Sequence, residues 1–326
     1  MNQPAGSSAD NTIPRLHSAR FQFPGRPLPL ARRLAVHNRV VRHIRNFMDD
    51  RLFNEIPVPA IDAATRTWAA TGRHYLDSMI SKGFPAVWCE SECLPQGYES
   101  MNMRLAGFKR MEVEKSDLEL DELCDLMESL LKSVASDLSA DLLGGRQVTR
   151  LNHMINSPHP RITYRKALEI LNNRGWDLQF GQDLNWKAES SLCRYFGNMP
   201  VMITNFPAEL RFFTSRLNAE DNTVTDTVDY ILPYCGEAMD GAVRNTDPQV
   251  MREALGNVGH NGSGFEPYLD LFTQRTLNRA GFGLGLTPLL QYLMGLENIS
   301  DAVIHPLDRA STPALESMEA SQGEAI

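Results

Sequence analysis

Two acidic residues in the second half of the chain have types and surroundings that suit a cation site. Asp229 and Glu237 lie in DYILPYCGE and could face one site if the strand bends at Pro233. Two carboxylates at a cleft fit Mg²⁺, which usually takes one or two carboxylates together with substrate phosphates. Because acids also commonly pair up on protein surfaces, a solvated acidic edge is the alternative interpretation.

The run GFGLG at residues 281–285 is a second candidate feature. Its spacing is GxGxG, whereas a dinucleotide-binding loop needs GxGxxG and an acidic residue further on, so we exclude that reading. Close packing of a strand on its neighbours or on a flat ligand explains these glycines better. The next residues, Thr287 and Pro288, predict a helix start with Thr as N-cap and Pro at the first helical position.

Cysteine and histidine patterns indicate no metal centre. Cys89 and Cys93 have no second Cys or His pair at zinc spacing, and the eight histidines form no ligand group. The cysteines are odd in number and scattered, which is typical of reduced thiols in a cytoplasm. These five residues are Cys89, Cys93, Cys124, Cys193 and Cys235.

The elements that would position these residues can be read from hydrophobic periodicity. Residues 31–51 predict a helix with an apolar stripe that consists of Leu34, Val40, Val41, Ile44, Phe47 and Met48. Its arginines form a solvated basic face or, alternatively, a phosphate-binding face. Residues 86–92 and 109–116 predict strands, and a capping box of Ser116 and Glu119 predicts the next helix.

Further along, residues 163–171 predict a helix, and residues 200–207 and 209–217 alternate like the two strands of one hairpin. A strand follows at 225–233, and residues 279–296 predict a strand, a turn and a helix. Three tryptophans, Trp88, Trp176 and Trp186, are expected in the core or in a pocket wall. Strands without regular βαβ alternation indicate an α+β fold.

Composition sets the broad class of the protein. The chain has 326 residues and a net charge of −8, which disfavours a globally basic nucleic-acid binder. No apolar run approaches the roughly 20 residues that span a bilayer. We predict mobile tails at residues 1–27 and 311–326 and one domain at 28–310, in a cytoplasmic protein.

Taken together, these segments resemble the catalytic domain of class II aminoacyl-tRNA synthetases over roughly residues 30–309. The nearest group is the aspartyl and asparaginyl enzymes and the archaeal asparagine synthetase related to them. The segments VMITNFPAELRFFTSRLN, TVDYILPYCGEAMDGAVRN and YLDLFTQRTLNRAGFGLGLTPLLQYLMGLENISDAVIHPLDR follow the asparaginyl pattern. FNEIPVPAI resembles motif 1, with Pro59 at its proline, and MRLAGFKRMEVEKSD resembles the second half of motif 2.

The resemblance implies an antiparallel sheet flanked by helices, a homodimer formed through the motif 1 helix, and activation of an amino acid with ATP and Mg²⁺. By position, Asp229 and Glu237 would bind Mg²⁺ and ATP, and Arg244 would hold the substrate side chain. These three residues are the implied catalytic group. Arg279, Gly281 and Gly283 would line the substrate pocket, and Arg104 and Glu112 would contact the nucleotide.

The chain departs from the family pattern at the positions that hold ATP. Pro95 and Gly97 stand where motif 2 carries an arginine and a glutamate. In motif 3, Thr287–Pro288 replaces Glu-Arg, and Arg279 takes the place of a frequent histidine. Each lost hydrogen bond to a charged group costs about 1.5–3 kcal/mol, so two losses weaken ATP binding by about 10²–10⁴-fold. The substitutions therefore put the use of ATP in question.

The resemblance, with these departures, leads to three functional hypotheses. The first is a tRNA-independent, asparagine-synthetase-like ligase that acts on aspartate, asparagine or a related amino acid. The second is a non-catalytic amino-acid-binding or regulatory paralogue, and the third is an ATP-independent biosynthetic enzyme that uses the same pocket. A tRNA partner is not expected, because only about 30 residues precede the motif 1 helix and the net charge is −8.

Overall fold

Eight strands and ten α-helices are found in the residues that the computed structural model describes, which are 28–60, 71–93, 108–257, 264–273 and 278–304. The strands are β1 Asn54–Glu55, β2 Ala86–Cys93, β3 Phe108–Ser116, β4 Arg161–Thr163, β5 Val201–Thr204, β6 Thr227–Leu232, β7 Gly236–Val243 and β8 Arg279–Gly285. The helices are α1 Leu30–Asp49, α2 Arg73–Ser81, α3 Leu120–Ser136, α4 Ala140–Leu143, α5 Gly145–Ile155, α6 Tyr164–Asn172, α7 Trp186–Tyr195, α8 Pro248–Asn257, α9 Glu266–Leu269 and α10 Leu286–Met294.

All eight strands belong to one sheet, in the order β1-β2-β3-β8-β7-β6-β5-β4. The six central strands pair antiparallel, whereas β1 and β4 pair in parallel with β2 and β5 at the two edges. The predicted fold class, an antiparallel sheet flanked by helices, is therefore confirmed, with parallel pairs added only at the edges.

Helices α1, α3 and α10 cover one face of the sheet, which we call the core face. Strand residues of this face, such as Val113, Phe282 and Met239, join the main apolar cluster with Ile44 of α1 and Met127 of α3. Each of these strand residues is 4 % exposed or less. Because strand side chains alternate, every second residue of the same strands points to the opposite face.

The opposite face, which we call the site face, is apolar only at its two sides. On one side α2 packs Leu76 and Ile80 against Val87 and Cys89 of β2. On the other side α6 and α7 pack on β5 and on Ile231 of β6. Between these two clusters, polar residues, glycines and Ala242 form the middle of the site face.

One strand prediction is wrong. Residues 200–207 and 209–217 do not form a hairpin with each other, because β5 takes β6 as its antiparallel partner and β4 as its parallel one. Residues 208–210 form a 3₁₀ turn instead. The end of the alternating segment 209–217 forms two isolated β-bridges, Ser215 with Arg244 and Leu217 with Thr225.

The predicted helix starts are shifted. Ser116 still pairs with Arg279 in the sheet, so the capping box that precedes α3 consists of Glu119 and Glu122 and not of Ser116 and Glu119. Helix α10 begins at Leu286 with Gly285 as its N-cap, so Thr287 is not the cap. Pro288 is then the third helical residue, and it is tolerated because the first four helical N–H groups need no acceptor within the helix.

Two burial predictions are also wrong, and the remaining ones hold where they can be seen. Leu34 is 43 % exposed, because the stripe of α1 is rotated toward Val36, and Trp186 is 68 % exposed at the start of α7. The free thiols of Cys89, Cys124 and Cys193 are buried. The predicted tails, 1–27 and 311–326, lie outside the described residues. No described helix is long and apolar enough to cross a membrane.

Candidate active site

A polar strip runs across the middle of the site face. The register places Glu112 of β3 beside Gly283 of β8, and Gly283 beside Asp240 of β7. Asp240 in turn lies opposite Asp229 of β6. Four neighbouring strands thus contribute one residue each to a single row, because residues in register share a face of the sheet.

Glu237 joins this row through a β-bulge. The register of β6 and β7 shifts after Tyr230, so that Ile231 faces Glu237 instead of Ala238. Without the extra residue, Glu237 would point to the core face, since strand side chains alternate. The bulge therefore turns Glu237 to the site face, the face of the sheet that also carries Asp229.

Asp229 is 5 % exposed and forms an ion pair with Arg211, in which Arg211 Nη2 donates to Asp229 Oδ2 at 2.5 Å. Burial raises the pKa of the Asp229 carboxyl to about 6, although Arg211 pulls it the other way. Two atoms of this pair, Asp229 Oδ1 and Arg211 Nε, are buried without a hydrogen-bond partner. Arg211 also stacks on the ring of Phe206, 3.7 Å from its centroid.

A third acid, Glu189 of α7, faces the same place and was not predicted. Its carboxylate lies 3.0 Å from where a Cβ on Gly236 would be. Burial and the nearby Asp229 charge raise the pKa of Glu189 to about 7. Desolvation, with repulsion from Asp229 and Asp240, raises the pKa of Glu237 well above its usual value, although solvent reaches this side chain. We call Glu189, Asp229 and Glu237 the acid pocket.

The predicted substrate residues Arg244 and Arg279 lie together in a second group, with Asp77 of α2 and Glu114 of β3. Arg244 donates to Glu114 through Nε at 3.1 Å and Nη2 at 3.2 Å. Arg279 Nε contacts Asp77 Oδ1 at 2.5 Å, and Tyr268 donates to the other Asp77 oxygen at 2.8 Å. We call Asp77, Glu114, Arg244 and Arg279 the buried charge quartet, since each is 2 % exposed or less.

The quartet is electrically balanced, with two arginines against two acids. The two arginines, with Tyr268, outweigh the burial penalty at Asp77 and hold its pKa below the usual value. At Glu114 burial dominates and raises the pKa. The donors of Arg244 that face Glu114 are thus already engaged by this chain, in the position that the resemblance assigns to a substrate side chain.

The carboxylate of Glu112, a predicted nucleotide contact, is hydrogen-bonded to neighbouring parts of the chain. It accepts hydrogen bonds from the hydroxyl of Thr71, from the backbone N–H of Gly72 at 2.5 Å and from the hydroxyl of Ser91 at 3.2 Å. The bonds from Thr71 and Gly72 tie the N-terminus of α2 to β3. The helix dipole also stabilises a carboxylate at this end of the helix. Arg104, the other predicted contact, lies outside the described residues, as does Pro95.

The glycines of β8 are covered by side chains of the chain itself. A methyl group on Gly281 would overlap the carboxylate of Glu114 and the backbone oxygen of Val113. One on Gly283 would overlap the guanidinium of Arg110, and one on Gly285 would approach Pro288 Cγ to 2.7 Å. Of the two predicted explanations for these glycines, close packing on neighbours is the one that the described contacts fill.

A profile of the family described as tRNA synthetases class II (D, K and N) matches residues 26–309. The chain belongs to this family. The resemblance inferred from the motifs is thereby confirmed, and so is the predicted fold.

Individual relatives agree with this assignment. The chain is 32% identical to an asparaginyl-tRNA synthetase of Mus musculus over 253 residues, which are 72% of this chain and 52% of the relative. It is 32% identical to an asparagine–tRNA ligase of Psychromonas ingrahamii over 216 residues, 62% of this chain and 46% of that one. The chain thus spans about half the length of the curated relatives it matches.

The fold matches that of asparaginyl-tRNA synthetase from Pyrococcus horikoshii in complex with asparaginyl-adenylate. The TM-score is 0.80 at 21% identity, and the match covers 86% of this chain and 69% of that one. An aspartyl-tRNA synthetase from Entamoeba histolytica matches with a TM-score of 0.76 at 22% identity, over 86% of this chain and 59% of that one. At these identities the likeness concerns the fold.

Members of the family generally use Mg²⁺ and ATP, and the residues here fit the two groups differently. Mg²⁺ suits the acid pocket, because Asp229 Oδ1 lacks a partner and Glu237 lies beside it. No set of three His, Cys, Asp or Glu side chains in the described ranges is arranged to hold a metal. Asp229 and Glu237 would therefore hold the ion together with water or substrate oxygens, as is usual for Mg²⁺.

Two described residues bear on the question of ATP. Pro288 stands in the first turn of α10, at the position where the resemblance implies an arginine, and it has no charge to offer a phosphate. The guanidinium of Arg110 occupies the space above Gly283. A planar base could lie on this part of the strand only after Arg110 had moved.

Sequence reasoning missed Asp77, Glu189, Arg211 and Asp240. For Glu189 a signal was present, because it lies on the buried face of α7 with Leu192 and Cys193, where an acidic side chain is unusual. Arg211 lies inside a segment that carried the resemblance. Asp77 and Asp240 had no such signal, since only the pairing of distant segments gives them their partners.

Proposed function

We propose that this domain binds a small amino acid in the acid pocket and does so without activating it by ATP. The observation that carries the proposal is that Arg211 and Asp229 form only one hydrogen bond with each other. Arg211 Nε and Asp229 Oδ1 are left buried without a hydrogen-bond partner. An unmet buried polar atom costs about 1–3 kcal/mol, so a ligand that satisfies both atoms gains that much.

A zwitterion has the matching groups. Its carboxylate would accept a hydrogen bond from Arg211 Nε, and its ammonium would donate to Asp229 Oδ1. The pocket supports this orientation, because the carboxyl oxygens of Glu189 and Glu237 lie on the Asp229 side and can accept further hydrogen bonds from the ammonium. Arg211 is held in place by its stacking on Phe206.

The absence of nucleotide activation is supported by the contacts above Gly283 and Gly285. Arg110 and Pro288 fill the space over these two glycines, and Pro288 stands where the resemblance implies an arginine. This proposal corresponds to the hypothesis of an amino-acid-binding paralogue, and it equally accommodates an ATP-independent enzyme.

Isothermal titration with a panel of amino acids, in the presence and absence of Mg²⁺ and ATP, tests the proposal. We expect saturable binding of at least one amino acid with a Kd near or below about 1 mM, or about −4 kcal/mol. Arg211→Met should abolish it. Arg216→Met is the matched control, because Arg216 forms a similar pair with Asp226 at 2.8 Å on the same segment. Failure of every amino acid to bind would refute the proposal.

A second candidate is a tRNA-independent, asparagine-synthetase-like ligase that uses ATP and Mg²⁺. It is supported by the family and by the retention of Asp229 and Glu237 on one face. It requires Arg110 to leave Gly283. Amino-acid-dependent exchange of pyrophosphate into ATP would establish this candidate and exclude the first, and adding ammonia or tRNA would identify the acceptor.

We also propose a homodimer formed through α1, and no tRNA partner. Leu30 and Leu34 of α1 and Leu52 just after it are large apolar residues that are 54 %, 43 % and 83 % exposed. These exposed apolar side chains lie at both ends of α1, and they support an interface that runs along this helix. The net charge of −8 argues against phosphate-backbone binding, although relatives are named as tRNA ligases.

A further inference from the structure

The planar guanidinium of Arg110 lies over the backbone of Gly283, where a Cβ would come within 2.1 to 2.5 Å of three of its atoms. Gly283 has Glu112 beside it on β3 and Asp240 beside it on β7. Arg110 Nη2 donates to Asp240 Oδ1, and Arg110 Nε lies 3.8 Å from Glu112 Oε1. The guanidinium therefore bridges Glu112 and Asp240 across the glycine that lies between them.

Asp240 is the anchor of this arrangement. One of its oxygens accepts from Arg110, and the other lies 3.5 Å from Arg73 Nη2. Arg110 and Asp240 have side chains that are 20% and 32% exposed, so the pair lies at the surface of the site face and not in the core. An ion pair at this depth can be removed without opening the apolar clusters beneath the sheet.

A glycine in a strand often marks a place where a ligand approaches the backbone closely. Above Gly283 the planar group that approaches is supplied by the chain itself. The guanidinium of Arg110 already fills the space that a methyl group on Gly283 would need. Nothing else of similar shape can lie there at the same time.

We propose that Arg110, held by Asp240, is a built-in occupant of a planar-ligand subsite above Gly283 and excludes a nucleobase from it. This inference deepens the proposed function, on which it rests, because it names the residues that keep the pocket free of nucleotide. It assigns Arg110 a specificity-determining role. This role is separate from the prolines at positions 95 and 288, where the resemblance implies arginines.

Binding of AMP and adenosine, measured by titration calorimetry and ligand-observed NMR, tests the inference. We expect negligible binding to the wild type and at least tenfold tighter binding to Arg110→Ala, or about 1.4 kcal/mol. Asp240→Asn, which keeps the side-chain shape but removes the anchoring charge, should give a smaller gain. Lys109→Ala is the control, because Lys109 precedes Arg110 on β3 and forms its own pair with Glu90 at 2.6 Å.

Two outcomes would overturn the inference: wild-type protein that binds AMP as tightly as Arg110→Ala, or folded Arg110→Ala and Asp240→Asn proteins that both gain no binding. If Arg110→Ala does not fold, Asp240→Asn alone decides. Amino-acid titration of the same samples separates this result from the proposed function. If Arg110→Ala gains AMP binding while the wild type binds no amino acid, the exclusion of the nucleobase by Arg110 is supported and the zwitterion site is refuted.

Discussion

Glu237 faces the same side of the sheet as Asp229 only because one extra residue is inserted in β7. The register shift after Tyr230 brings Glu237 opposite Ile231, which shares its face with Asp229. The two carboxylates then repel each other, and this repulsion contributes to the raised pKa of Glu237. A pocket in which the pKa values of several acids are raised has measurable consequences for binding and for stability.

Cation binding to the acid pocket should release protons. The pKa values of Asp229 and Glu189 are about 6 and 7, and a bound cation stabilises the charged carboxylates and lowers both. We expect Mg²⁺ or amino-acid affinity to rise from pH 5 to about pH 7.5 and then to level off. Calorimetry at pH 6.5 in buffers of different ionisation enthalpy should show net proton release, which should vanish near pH 8.5. Proton uptake at pH 6.5 would contradict the arrangement.

Glu189→Gln should stabilise the protein at alkaline pH. The pKa of Glu189 is raised from 4.5 to about 7, so the folded state binds this proton more tightly than the unfolded chain does. The stability that the protonated group provides is complete below about pH 4.5 and is lost as the pH rises to about 7.

At pH 8 we therefore expect Glu189→Gln to raise the free energy of unfolding by up to about 3 kcal/mol, with little change at pH 4.5. Urea unfolding at both pH values measures this difference. Glu220→Gln, on an exposed loop, should change stability at neither pH. An equal effect of Glu189→Gln at both pH values would show that packing, and not charge, is responsible.

The pair of Arg279 and Asp77 should show strong energetic coupling. Removing one partner of a buried ion pair leaves an uncompensated charge and costs about 3–5 kcal/mol. Asp77→Asn and Arg279→Met should each destabilise by that amount, because both side chains are fully buried. The double variant should lose several kcal/mol less than the sum, as measured by a urea double-mutant cycle. Strict additivity would mean that the pair contributes no coupling.

The homodimer proposal is tested at α1. Leu34→Glu and Leu52→Glu place charges on exposed apolar positions that make no contribution to the main core cluster. We expect light scattering to give a dimer mass for the wild type and a monomer mass for the double variant, with secondary structure intact. Phe84→Glu, a change at another exposed apolar residue, should leave the mass unchanged. A wild-type monomer at micromolar concentration would exclude the interface.

Much of the fold could be predicted from the sequence because its signals are local. The periodicity of α1, the apolar run of β6 and the glycine-rich strand β8 followed by α10 were all placed within a few residues. The start of α3 was shifted because Ser116 is used by the sheet, and α10 begins directly after β8, so that Gly285 and not Thr287 is its N-cap. The false hairpin arose because alternation shows that a segment is extended but does not show its partner.

The candidate site divides in the same way. The residue types and the family motifs were sufficient to select Asp229, Glu237, Arg244 and Arg279, and the family match agrees with the motifs from which they were taken. What each side chain does was decided by tertiary structure. Arg244 is engaged by Glu114, Arg279 by Asp77, and Gly283 is covered by Arg110. Charge pairing depends on distances of a few ångströms between segments far apart in the chain, and no local pattern encodes those distances.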